Sequence, residues 1–233
     1  LDEEQGGFYG SVDNENIPDR TAPKGIVLNS RILWTFSAAY EFTKEQSHLN
    51  TAETALSYII DHFIDHEYGG VFWSVNPAGE MMDGRKQIYG LAFCIYGMKA
   101  SGNGMALHFA KDLYNSIEQY SFDKQKGGYI EAFDRNWKDA DDLRLSDKDV
   151  NERKTMNTHL HIVEAYAELY KVWPDDGLRK KIIQLLELFQ QHFINKENHH
   201  LQLFFNDDWK LKSTLQSYGH DIDPFDIRDV DSD

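Results

Sequence analysis

Arg31, Tyr89, Asn157, His161 and His220 are the residues whose types and spacing could do chemistry in this chain. Histidine titrates near neutrality and is suited to taking and returning a proton, which makes His161 and His220 acid/base candidates. Asn157 precedes His161 by four residues, a spacing that puts both side chains on one helical face. His159 is two positions from His161, so it points away and is expected to be a replaceable bystander. For the same reason the His-x-His pair is a poor metal site, because one helical face needs a spacing of three or four. Arg31 interrupts the apolar run IVLNSRILWTF. A guanidinium cannot shed its charge, so Arg31 must meet an anion, a π-face or a substrate oxygen.

These residues sit on a repeating framework. A glycine pair, an alternating aromatic strand and a polar turn recur in EEQGGFYGSVDN from Glu3, in DHEYGGVFWSVNPAGEMMDG from Asp65 and in DKQKGGYIEAFDRNWKDAD from Asp123. A fourth copy from Asn195 has His199 and His200 in place of the glycines. Glycine pairs supply positive φ without steric cost, and the alternation reads as one arm of a short hairpin. Between the hairpins lie pairs of helical segments. The first of each pair, 26–42, 87–98 and 156–173, is apolar nearly all round; the second, near 50–65, 104–120 and 177–194, has one apolar stripe. An all-round apolar helix is buried and an amphipathic one covers it. Alternating inner and outer helices give an α/α toroid, although an open helical solenoid produces the same alternation. In a toroid the inner helices run parallel, so Arg31, Tyr89, Asn157 and His161, all within about two turns of an inner helix start, are expected to share one concave pocket near the hairpin rim.

Composition narrows the function classes. With 233 residues and 41% hydrophobic content the chain can bury one sizeable core. A formal net charge of -15 disfavours phosphate backbones and anionic lipid surfaces as partners. Cys94 is the single cysteine and lies in an apolar run, which excludes an intramolecular disulfide and fits a buried residue in a reducing, cytoplasmic setting. No apolar run is long enough to span a bilayer, and the opening LDEEQGGFYG lacks the charged and apolar regions of a signal peptide, so a soluble, untargeted chain is expected.

The stretch GGFYGSVDNENIPDRTAPKGIVLNSRILWTFSAAYEF resembles the opening of bacterial cellobiose 2-epimerases, within the N-acylglucosamine 2-epimerase superfamily. KTMNTHLHIVEAYAELYKVW and SYGHDI are similar to two further blocks of that family. The resemblance implies an all-α fold, a partial (α/α)6 toroid with short β-hairpins at one rim, over residues 1–222. It implies that Arg31, Asn157, His161 and His220 are active-site residues, that Tyr89 and Asp149 contact the sugar, and that neither metal nor organic cofactor is used. Epimerisation opens the sugar ring, removes the proton beside the C1 carbonyl and returns one to the opposite face of an enediolate. In that chemistry His220 is a proton-transfer residue, His161 an orienting or auxiliary acid/base, and Arg31 the stabiliser of the enediolate oxygen.

Departures from the family accompany the likeness. Nearly half of the family ring has no counterpart, and Asp223 stands where the family has a glutamate. Pro224 disfavours a helical Asp223, and residues 223–233 read as an acidic, disordered tail. The chain alone is therefore expected to be a poor epimerase, with an exposed toroid edge open to homo-association. Other readings are an aldose–ketose isomerase using the same enediolate, and a non-catalytic sugar-binding or inactive fragment. Glycoside hydrolysis is disfavoured, because the acidic residues fall mostly on hairpins and outer helices.

Overall fold

The computed structural model describes residues 1–222; the expected acidic tail, 223–233, lies outside the described residues. Three helices stand in a row, α1 (Ile26–Thr43), α3 (Ile88–Ala100) and α5 (Met156–Tyr170), with α3 packed against both others. Each is backed by the helix that follows it: α2 (Gln46–His62), α4 (Gly104–Ser116) and α6 (Asp176–Leu188). A short α7 (Tyr218–Ile222) opens a fourth repeat. The sequence explains the layering. In α3 the residues Ile88, Leu91, Ala92, Cys94, Ile95 and Met98 are all buried, leaving almost no polar face, whereas α6 buries Leu178, Ile182 and Leu185, a single stripe at helical spacing. Gly97 lets α1 and α3 approach backbone to backbone, since a Cβ there would lie 2.7 Å from the Ser30 carbonyl oxygen. Cys94 is fully buried, and burial pushes its thiol up to about 12.

The outer helices differ from the expected boundaries at their ends. The α-helical pattern of α4 and α6 gives way to one π turn each, Ile117–Ser121 and Phe189–Phe193, before the chain enters a hairpin. Tyr170, not Trp173, ends α5, because Pro174 disfavours helix at the residue before it and Asp175 caps the next helix by accepting the N–H groups of Gly177 and Leu178.

Strands are short and do one job. The two residues ahead of each inner helix form β1 (Lys24–Gly25), β4 (Lys86–Gln87) and β6 (Lys154–Thr155). Each pairs antiparallel with the hairpin of the following repeat: β1 with β2 (Ser74–Val75), which also pairs with β3 (Met81–Asp83); β4 with β5 (Ala132–Phe133); β6 with β7 (Phe204–Phe205). The starts of α1, α3 and α5 are thus each fixed by the next repeat.

Beneath each of the first three glycine pairs lies a buried ion pair. Lys24 reaches Asp2 at 2.9 Å, Lys86 reaches Asp65 at 2.7 Å and Lys154 reaches Asp123 at 2.9 Å. The glycines Gly6, Gly7, Gly69, Gly70, Gly127 and Gly128 all have φ between 68° and 79°, as the sequence predicts. Burial opposes ionisation of Asp65, but the Arg135 and Lys86 bonds prevail and hold its carboxyl well below the usual range. An aromatic ring closes each turn. Tyr58 lies over Lys24, Trp137 over Lys86 and Trp209 over Lys154, with the Trp137 and Trp209 indole N–H groups donating to the carbonyls of Tyr68 and Lys126.

Candidate functional site

Aligning the inner helices on their first residues, Ile26, Ile88 and Met156, sorts the polar side chains into layers. The second position holds Val27, Tyr89 and Asn157; the sixth holds Arg31, Phe93 and His161; the ninth holds Trp34, Tyr96 and Glu164. The structure brings the sixth-position residues into a row, with the Arg31 guanidinium 4.7 Å from the Phe93 ring centre and that ring 4.6 Å from His161. Trp34 stacks on Tyr96 at 5.4 Å. Arg31, Trp34, Phe93, Tyr96, His161 and Glu164 line a cavity of about 370 Å³. Arg31 has found the π-face among its three possible partners and makes no ion pair among the described residues.

His161 is oriented from two sides. Its Nδ1 donates to Glu164 Oε2 at 2.7 Å, and Tyr89 packs edge-on against its ring at 4.8 Å. Nδ1 is thereby fixed as the protonated nitrogen facing the carboxylate. Burial lifts the Tyr89 hydroxyl above its ordinary value, so it remains a donor at neutral pH.

Asn157 faces a second cavity, of about 240 Å³, whose lining includes Asp149, His220, Ser217 and Glu131. His220 Nε2 lies 3.1 Å from Asn157 Oδ1, and its Nδ1 lies 2.7 Å from Ser217 Oγ. With Asn157 presenting its oxygen, Nε2 carries the proton and Nδ1 accepts from the serine hydroxyl. Asp149 accepts the Ser146 N–H and hydroxyl in a turn at the cavity edge. The single expected pocket is therefore divided. Arg31 and His161 share one cavity; Asn157, Asp149 and His220 share the other; Tyr89 touches His161 between them. The division follows from helical rise, because Asn157 and His161 are one turn, about 6 Å, apart along α5.

His159 does point away from this face, but it is not replaceable in the sense expected. It is completely buried. Its Nε2 accepts the Tyr129 N–H at 2.9 Å, which leaves Nδ1 to donate to the Thr155 carbonyl at 2.6 Å. Both nitrogens are satisfied only in the neutral ring, and burial lowers its pKa to about 3. The chain has made this histidine a structural bracket between α5 and the third hairpin.

Reading single residues missed Phe93, Glu164, Trp34, Tyr96 and Glu131. The recurrence of a lysine two residues ahead of each inner helix would have aligned the three helices and exposed the sixth and ninth positions. Glu131 is different, because nothing in its local pattern marks it. It is fully buried, accepts the hydroxyls of Thr155 at 2.6 Å and Thr158 at 2.7 Å, and is pushed up to about 7 by burial against the opposing effect of those two bonds. A larger cavity, about 900 Å³, lies by the second hairpin between Trp73, Met81, Arg85 and Arg135 and contains none of the expected site residues.

A profile of the N-acylglucosamine 2-epimerase (GlcNAc 2-epimerase) family matches residues 7–228. The chain belongs to this family. Among curated proteins it is similar to a cellobiose 2-epimerase of Bacteroides fragilis, 49% identical over 96% of this chain and 58% of that protein. Among solved structures it is similar to cellobiose 2-epimerase from Bacillus thermoamylovorans B4167, with a TM-score of 0.90, 39% identity and coverage of 94% of this chain and 57% of that one. A D-mannose isomerase shares the fold at a TM-score of 0.76 and 19% identity. Family membership settles the architecture in favour of a partial α/α toroid rather than an open solenoid, since the two layers of helices superpose on a toroid enzyme. The chain spans somewhat over half the length of the N-acylglucosamine 2-epimerase family members it matches.

Proposed function

We propose that the protein inverts C2 of the reducing-end glucose of a β-1,4-linked disaccharide, converting cellobiose to glucosyl-mannose through ring opening and an enediolate. The observation that carries this reading is the polar face of α5. Asn157 is bonded there to His220, and one turn on His161 stands in a row with a guanidinium free of any carboxylate among the described residues. The similarity to proteins named cellobiose 2-epimerase supplies the substrate class.

In this reading the ring opens by protonation of the ring oxygen and loss of the C1 hydroxyl proton, leaving a C1 aldehyde that acidifies the C2 hydrogen. His220 takes that proton, the electron pair moves into the C1–C2 bond, and negative charge collects on the C1 oxygen. Arg31 stabilises the charge, which requires the reducing-end sugar to bridge the two cavities past Tyr89. A proton delivered to the other face of C2, and ring closure, complete the inversion. His161, fixed by Glu164, orients the substrate or serves as auxiliary acid/base, while Asn157, Tyr89 and Asp149 hold hydroxyl groups. His220 has both nitrogens engaged, so the sugar must displace Asn157 or Ser217 before His220 exchanges a proton with it. The chemistry asks for no redox step and no cofactor. A cytoplasmic setting is proposed with it, on the single reduced cysteine.

Incubating the protein with cellobiose in heavy water tests the reading. Deuterium at C2 and a mannose reducing end are expected, with both reduced about a hundredfold or more in His220→Ala and Arg31→Ala. A ketose product would instead favour the aldose–ketose isomerase, and no exchange at C2 would defeat both for this chain and favour the non-catalytic sugar-binding or inactive fragment.

A further inference from the structure

Equivalent positions in the hairpins single out one residue. Three residues past the second glycine position, a main-chain carbonyl accepts the N–H of the first residue of the preceding inner helix: Trp73 for Ile26 at 3.1 Å, Glu131 for Ile88 at 3.0 Å and Leu203 for Met156 at 2.8 Å. Two of these residues are apolar. Glu131 is a carboxylate, 2% exposed, with no cationic partner among the described residues. A buried carboxylate without a cation is costly, and an apolar residue serves the same backbone role elsewhere in this chain.

Its side chain has been accommodated by two further departures from the repeat. Thr155, the residue capping α5, donates to Oε2, and Thr158, the third residue of α5, donates to Oε1. The matching positions are Gly25 and Leu28 on α1, and Gln87 and Gly90 on α3. Carboxylate and hydroxyls therefore occur together and occur once. One residue consequently holds the first turns of two inner helices, α3 by its carbonyl and α5 by its carboxylate. Tyr89 and Asn157 are the second residues of those turns.

We propose that Glu131 is a positioning residue whose protonation state sets the placement of Asn157, and through it His220, making sugar binding at this cavity pH-dependent. This rests on the reading of the cavity as the sugar site. As a carboxylate Glu131 accepts both hydroxyls. Once protonated it must donate one hydrogen, and one threonine hydroxyl then has to turn and accept instead. Thr155 Oγ1 already accepts the Thr158 N–H at 3.2 Å, so that turn is transmitted to the cap of α5 on either side of Asn157. Of the charged and titratable groups that line the same cavity, Arg144, Lys148, Asp149 and Glu152 come from the loop before β6 and His220 from α7; the Asp149 charge acts on Glu131, and Glu131 in turn on Tyr89 of α3. Burial and the Asp149 charge place its titration in the neutral range rather than the usual carboxylate range.

The test uses the full chain labelled with ¹³C in glutamate carboxyls and ¹⁵N in asparagine, titrated from about pH 5 to about pH 9, with cellobiose as the probe ligand. In wild type the Glu131 carboxyl and the Asn157 side-chain amide are expected to titrate with one shared midpoint near neutrality. Cellobiose affinity is expected to fall about fivefold as Glu131 protonates. Glu131→Gln should remove both the Asn157 titration and the pH dependence of affinity. Thr158→Val, which deletes one donor to the charged form, should raise the Glu131 midpoint by up to about a unit and carry the Asn157 midpoint with it; it decides the matter even where Glu131→Gln does not fold. An Asn157 signal that ignores Glu131, or a midpoint unmoved in Thr158→Val, overturns the proposal. A shared titration with no cellobiose binding at any pH upholds the positioning role and sinks the sugar-site reading. Binding whose affinity does not change with pH does the reverse.

Discussion

The first three hairpins and the fourth solve the same local problem differently. Asp2, Asp65 and Asp123 each receive a lysine that is essentially excluded from solvent. In the fourth, Asn195 stands at the aspartate position and Gln216 at the lysine position, and Gln216 is exposed. Glycine pairs give way to His199 and His200, and His199 keeps the left-handed backbone at φ 62°. Both charges are exchanged together for neutral amides. The two changes occur together, in keeping with a lysine and an aspartate that act as one unit in the first three hairpins, where either alone would be an uncompensated buried charge. The two backbone hydrogen bonds that close the turn survive without the ion pair, between Asn195 N–H and the His200 carbonyl and between His199 N–H and the Asn195 carbonyl. The positive φ of the second glycine position is lost at His200, so turn closure and the electrostatic lock beneath it are separable.

The strongest way to break this comparison is to remove Asp65. Lys86 has no other hydrogen-bond acceptor among the described residues, so Asp65→Ala is expected to cost about 3–5 kcal/mol in denaturant unfolding, whereas Asn195→Ala should cost about 1 kcal/mol or less. Equal losses at the two sites would mean that the buried pair is not what holds the locked hairpins. Next comes the lid. A Cβ on Gly128 would lie 2.5 Å from the Trp209 ring at a φ of 78°, so Gly128→Ala should cost about 2–4 kcal/mol; His200→Ala at the matching place should shift the melting temperature little. The smallest effect sharpens the electrostatic part. Lys154 keeps the Gly127 and Asp207 carbonyls when Asp123 is neutralised, so Asp123→Asn should cost only about 1–2 kcal/mol at neutral pH. Despite opposing burial, the Lys154 bond holds Asp123 below its ordinary value. A depressed carboxyl contributes stability above its unfolded value, near 4, and loses it as pH falls through the folded value. The gap in melting temperature between wild type and Asp123→Asn should therefore close as the solution is acidified below about pH 4. A gap constant across that range would contradict the linkage.

Much of this architecture was legible because it is periodic. The all-round apolar pattern of Ile88–Ala100 and the single stripe of α6 follow from what a buried and a covering helix must each present to water, and the glycine pairs announced their positive φ. Helical phase separated His161 from His159 correctly. What phase does not reveal is tertiary use: His159 looked dispensable, yet its two nitrogens are committed to Tyr129 and Thr155. Axial distance was missed as well, and it is what divides Arg31 and His161 from Asn157 and His220. Glu131 could not be found from its neighbours in sequence, because its partners lie more than twenty residues away and only comparison with Trp73 and Leu203 shows it to be out of place.

The aromatic lids have a directional consequence. Trp137 comes from the third hairpin and covers the second, and Trp209 comes from the fourth and covers the third. Like overlapping roof tiles, the second and third hairpins are each sealed by the one synthesised after it, whereas the first is covered by Tyr58 of its own repeat. As the chain leaves the ribosome, these two hairpins stay uncovered until roughly seventy further residues have emerged, so this part of the molecule matures one repeat behind its growing end.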